Sequence, residues 1–130
     1  LIHAACRDAA DDKRAPRRSA ALPPHARAIE YIERSIDDPD LDPNKVAHAV
    51  GVSVSHLHAL MRRHGTSVGR TILECRLDRC ANDLRALPAA TTRGSDIAFR
   101  WGFNDAAHFS RAFRARFGAS PVNWRAGLPS

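Results

Sequence analysis

DIAFRWGFNDAAHFSRAFRARFGASPVNWR, from Asp96 to Arg125, is the stretch whose reading decides the fold. Ile97, Ala98 and Trp101 form a short apolar stripe, and Gly102 follows where a helix needs a residue of positive φ to stop. Asn104, a strong N-cap type, is expected to open a second helix. In that helix Phe109, Phe113 and Phe117 recur every four residues and so share one face. Gly118 ends it. Ser120 and Pro121 then supply a cap and a first-turn proline for a last short helix that reaches Trp124 and Arg125.

The side opposite the phenylalanines carries Ala106, Ala107, Ser110, Arg111 and Arg114. A short helix, a tight turn and a second helix that is apolar behind and small-plus-basic in front describe a helix-turn-helix. Small residues near the N-terminus let backbone approach base edges, and arginines reach guanines or phosphates. The alanines either meet a thymine methyl or only permit close approach. His108 is either a phosphate neighbour or plain surface. Arg114 and Arg116 fit phosphate contacts better than base reading.

The fixed positions Ile97, Ala98, Gly102, Phe103, Phe109, Phe113, Arg114, Gly118, Ser120, Pro121, Trp124 and Arg125 resemble the signature of the AraC/XylS family of bacterial transcription regulators. The resemblance implies an all-α fold in which two helix-turn-helix subdomains are joined by a long linker helix, this stretch being the second.

Upstream the same punctuation recurs. Val46-Ala47, Gly51-Val52-Ser53, Leu57, Met61 and Gly65 line up with Ile97-Ala98, Gly102-Phe103-Asn104, Phe109, Phe113 and Gly118, with one-residue insertions in the second copy. A single repeat at this interval fits two units and excludes a solenoid. Before it, Ala28, Ile29, Ile32 and Ile36 with Tyr31 predict an amphipathic helix ended by Asp38-Pro39. Asp42-Pro43 caps and starts the next. Ser67 is expected to cap a helix over 67–87, striped by Ile72, Leu73, Leu77, Cys80, Ala81 and Leu84 and roughly 30 Å long. It is expected to pack on both units and hold them at a fixed spacing. Ser95 is expected to cap the return into the signature stretch.

The domain reading is therefore 1–24 as a tail and interdomain linker, and 25–130 as the DNA-binding domain. Within the latter, 25–66 is the first unit, 67–87 the linker helix and 88–130 the second unit. Leu1, Ile2, Ala5, Cys6 and Ala9 cluster at helical spacing, and 14–24 has the Pro, Ala, Ser and Arg content of a tether. With Leu1 first and Met61 the lone methionine, the sequence is expected to be a fragment of a longer protein.

Residues 1–52 hold eight basic and nine acidic side chains, whereas residues 53–130 hold twelve and five. The whole net charge of +6 thus comes from the segment with the proposed DNA face, as a polyanion partner requires. On charge alone, a solvated arginine-rich surface fits equally well. Three cysteines make no disulfide framework and point to a reducing cytoplasm. No run approaches the ~20 apolar residues of a membrane span. His56 and His58 point different ways on a helix, and Cys75 and Cys80 lack C-x-x-C spacing, so no metal site is expected. Cys6 has no supporting base for a nucleophile. No cofactor and no catalytic constellation are expected; the chain does not read as an enzyme.

In the first unit, the helix after Ser53 exposes Ser55, His58, Ala59, Arg62 and Arg63. The resemblance makes this the first recognition helix, with Ser55, His58 and Arg62 nearest the bases. Ala59 departs from the basic or long polar residue frequent there, which removes one contact or reduces it to a methyl. Met61 replaces an aromatic, a volume-tolerant core exchange. The linker segment carries the family's Arg76-Leu77 pair. In the second unit, Ala106, Ala107, Ser110 and Arg111 match base-facing positions, and Arg111 is expected on guanine O6 and N7. The resemblance implies double-stranded promoter DNA as partner, recruitment of RNA polymerase, and a small-molecule effector sensed by an upstream domain. Two rivals stay open: a helical protein-interaction module with a basic face, and a sequence-neutral DNA binder.

Overall fold

Proline starts, side-chain caps and left-handed glycines cut the described residues into a succession of helices. The computed structural model describes residues 22–128, and among them there are seven helices and no strand. They are α1 (Pro24–Arg34), α2 (Pro43–Val50), α3 (Val54–Arg63), α4 (Val68–Ala86), α5 (Gly94–Arg100), α6 (Ala106–Phe117) and α7 (Pro121–Ala126). The expected helical tail and most of the expected tether, up to residue 21, lie outside the described residues. No helix among the described residues is long and apolar enough to cross a membrane.

Two compact units divide the chain: residues 22–36 with Asp40–Cys75, and Asp37–Pro39 with residues 76–128. In the first, Pro24 sits in the opening turn of α1, where its missing N–H costs no hydrogen bond. Ala28, Ile32 and Ile36 follow every four residues and are buried. The helix stops at Arg34, earlier than Asp38-Pro39, because the Ser35 N–H tightens onto the carbonyls of both Tyr31 and Ile32. A proline restrains only its immediate predecessor, so Pro39 has no hold on residue 35.

Asp42 caps α2 by accepting the Lys45 N–H at 2.9 Å. Gly51 takes φ 80°, and the Val52 N–H returns to the Ala47 carbonyl at 3.1 Å. Ser53 then caps α3 through the His56 N–H. Leu57 and Met61, one turn apart, are fully buried. Ser67 accepts the Arg70 N–H and opens α4, whose Val68, Ile72 and Cys75 complete this core. The Thr71 hydroxyl, buried beside them, is satisfied by the Ser67 carbonyl at 2.8 Å.

The second unit repeats the plan. Ile97 and Ala98 of α5 are fully buried, and the Phe103 N–H returns to the Ala98 carbonyl at 3.0 Å, as Val52 does to Ala47. Here the cap is Asp105 and not Asn104: its carboxylate accepts the N–H groups of Ala107 and His108. The inserted residue of the second copy is absorbed in the turn, and an anion at a helix N-terminus also suits the helix dipole. Ser95 likewise falls inside α5; Arg93 occupies the cap position and makes no side-chain cap bond.

Phe103, Phe109, Phe113, Phe117 and Trp124 form a chain of ring contacts with centroids 4.6–5.8 Å apart. Polar clamps fasten the same elements to the C-terminal part of α4. Trp124 donates its indole N–H to the Ala81 carbonyl at 3.0 Å, and Trp101 donates to Asp83 at 2.8 Å. Arg125 donates to the carbonyls of Leu87 and Thr92 at 2.7 and 2.6 Å, satisfying backbone acceptors at the end of α4 and in the loop beyond it.

Candidate nucleic-acid interface

Burying Leu57 and Met61 turns the rest of α3 outward. Ser55, Arg62 and Arg63 are exposed, and His58 and Ala59 are half-buried. Positions 55, 58, 59 and 62 are three or four apart, which places them along one strip of the helix. Arg62 and Arg63 lie in the last turn, a position that the helix dipole favours for cations.

On α6 the division is sharper. Phe109 and Phe113 are buried, while Ala106, Ala107, Ser110, Arg111 and Arg114 are all exposed. Four of these five, all but Ala107, border a groove of about 480 Å³. Its other wall comes from the starts of two neighbouring helices, with Gly94 and Ser95 of α5 and Ser120, Pro121 and Val122 at α7. Sequence reasoning missed Gly94, Ser95 and Val122. Helical periodicity on α6 cannot reveal residues that other elements bring to its side. Val122 is 76% exposed, well beyond what packing needs of an apolar side chain.

The arginines separate into two groups. Several are committed inside the fold. Arg76 donates to the Asp38 carbonyl at 2.6 Å, Arg125 holds two carbonyls, and Arg85 stacks over the Trp124 ring at 3.7 Å. On the surface, Arg70 pairs with Glu74 at 3.2 Å and Arg100 approaches Asp83 at 3.7 Å, so these exposed cations have a counter-charge of their own. Arg116, expected on a phosphate, is also committed: it grips Asp78 with two bonds of 2.9 and 3.2 Å. Such a fork-to-carboxylate bond is directional and strong, and a guanidinium held in one is not offered to solvent anions. Arg62, Arg63, Arg111 and Arg114 make no ion pair among the described residues. Apart from Arg93, exposed at the cap position of α5, the exposed arginines with neither an ion pair nor a stacking partner among the described residues are those on the outward faces of α3 and α6.

His108 is exposed, and its ring meets the edge of Phe103 at 6.0 Å, so it has a packing role on the rim of the turn. Among the described residues no group of three or more His, Cys, Asp and Glu could hold a metal ion. Burial, with Asp83 adding to it, pushes the Cys80 thiol far above its ordinary range, which leaves it an inert core residue.

Comparison with known proteins adds to this geometry. The profile of a family described as "Helix-turn-helix domain" matches residues 46–127. The chain is 32% identical over 99 residues to the transcriptional activator NphR of a Rhodococcus species, covering 76% of this chain and 29% of that protein. It is 34% identical over 132 residues to the HTH-type transcriptional regulator GlxA of Rhizobium meliloti (strain 1021), covering 95% and 38%. The chain thus spans between about three and four tenths of the length of these relatives. Among solved structures, the C-terminal domain of AraT, a response regulator from Geobacillus stearothermophilus, superposes with a TM-score of 0.71 at 28% identity, covering 84% of this chain and 89% of that one.

Proposed function

Because the chain belongs to the AraC/XylS family of helix-turn-helix transcription regulators, we propose that it is the sequence-specific DNA-binding domain of a bacterial activator, with α3 and α6 as its two recognition helices. The observation that supports this reading is the sorting of the arginines. Those facing inward are spent on carbonyls and carboxylates, and those beside small residues on α3 and α6 are left without a counter-ion. A solvated basic surface with no partner gives no reason for that division.

Within this reading Arg111 takes a guanine edge, flanked by Ala106, Ala107 and Ser110, and Arg114 takes a phosphate. On α3, Ser55, His58 and Arg62 face bases, Ala59 offers at most a methyl contact, and Arg63 approaches the strand. The bound domain then presents itself to RNA polymerase in the bacterial cytoplasm, and any response to a small effector is exerted from sequence beyond these residues.

A gel-shift titration tests the proposal. Promoter duplex and random duplex are compared, each in the presence of a competing polyanion. Retention of the promoter complex alone supports it. Equal retention of both duplexes favours a sequence-neutral binder, and loss of both favours a protein-interaction module.

A further inference from the structure

The pair Asp78–Arg116 joins a side chain of α4 to one on the proposed recognition helix α6, 38 residues apart in sequence. Asp78 is 4% exposed, among the few buried charged residues of the described chain. Both bonds are short, Nε to Oδ1 at 2.9 Å and a terminal nitrogen to Oδ2 at 3.2 Å. A buried pair of this kind rarely adds stability over a well-packed apolar pair of like volume, because both ions lose their water. Its distinctive property is direction. The two-pronged bond fixes the guanidinium plane against the carboxylate, whereas the apolar burial of Phe109 and Phe113 is in itself a non-directional driving force.

Position on the helix decides what that direction controls. At about 100° per residue, Arg116 lies roughly 160° around α6 from Arg114 and about 140° from Arg111. It is the inward handle of a helix whose outward side carries the proposed base and phosphate contacts. A twist of about 20° moves a side-chain group roughly 5–6 Å from the axis by about 2 Å. That exceeds the tolerance of a hydrogen bond to a base edge, though a phosphate contact survives it.

We propose that Asp78 and Arg116 are positioning residues for sequence reading: the pair sets the rotation of α6 about its own axis, and so sets which base edges Arg111 and Ser110 meet. The inference rests on the DNA-binding reading above. It assigns to Arg116 a role in specificity although it touches no DNA, and to Asp78 a role on DNA although it is buried and acidic.

The test uses the full chain and a duplex that the parental protein enriches from a random pool. Single base-pair substitutions across that duplex give a discrimination ratio at each position, and Arg111→Ala marks the half read by α6. Two variants are compared with the parent: Arg116→Lys, which keeps the charge and loses the fork, and the apolar pair Asp78→Leu with Arg116→Leu. Both are expected to lose about tenfold in discrimination in the α6 half, the scale of one misplaced base contact. Discrimination in the α3 half, affinity for random DNA and salt dependence stay within about twofold of the parent, and the apolar pair melts no lower than the parent. Full discrimination in the α6 half by either folded variant overturns the inference. An equal loss in both halves overturns it too, since that is general destabilisation. If the apolar pair does not fold, Arg116→Lys alone decides. A parental protein that enriches no sequence overturns the DNA-binding reading itself, an outcome recognisable before any variant is made.

Discussion

Arg111 and Arg114 sit three residues apart on α6, both exposed and without an ion pair among the described residues, yet substitution separates them. Arg111→Ala is expected to cost about 1–3 kcal/mol on cognate DNA and to relax preference at one base pair, whereas Arg114→Ala weakens all duplexes alike. Equal losses on cognate and scrambled duplex for Arg111→Ala would sink the assignment. Gly102 gives a second prediction at this scale. Its φ is 98°, and a Cβ there would meet the Arg76 guanidinium at 2.8 Å. Gly102→Ala is expected to lower stability by roughly 1–2 kcal/mol for the backbone alone, and by more if Arg76 loses the Asp38 carbonyl. Thermal unfolding reads it, and an unchanged melting temperature refutes it. Single residues also mark where sequence reading stops. Gly102 could be read as a helix stop from its neighbours, but nothing local announces that Arg76 presses against it. Arg116 is the harder case. On a helical wheel it is one more basic residue, and only the fold brings Asp78 within 2.9 Å.

Among the elements, helix starts were the most legible. Asp42, Ser53, Ser67 and Ser120 each accept the N–H three residues on, because a cap is chosen within one turn of chain. The start of α6 was misplaced by one residue, since Asn104 and Asp105 cap equally well and the inserted residue shifts which of them meets the turn. The groove beside α6 was illegible for another reason: three separate elements build it. The contact between α1 and the end of α3 belongs to the same class. His25 of α1 stacks on His64, which closes α3, with centroids 3.5 Å apart and rings 5° from parallel. Burial, and then the neighbouring His64, hold the His25 imidazole below its ordinary value of 6.5. The unfolded chain therefore takes up a proton at higher pH than the folded one, and stability contributed here is lost as pH falls below 6.5. Chemical unfolding of the first unit is expected to move to lower denaturant between neutral pH and about pH 5. His25→Phe, which keeps a stacked ring and removes the titration, should flatten that slope. A slope identical to the parent's would show that other groups set it.

Taken as a whole, the molecule carries its excess charge on one segment: residues 53–130 hold twelve arginines against five acids. If Arg63 and Arg114 are its phosphate contacts, counterion release gives log K a slope of roughly −2 against log salt, or about 12-fold lost between 50 and 200 mM. A nearly flat titration would favour a protein partner. Aromatic residues are distributed as unevenly as charge. Trp101 and Trp124, the only tryptophans, both belong to the second unit, one bonded to Asp83 and the other lying under Arg85. Indole emission consequently watches the second unit alone, while far-ultraviolet ellipticity counts helices in both. The protein thus carries an optical label on one half. Melting curves that coincide by the two signals mean that the units unfold as one, and curves that part mean that one unit outlives the other.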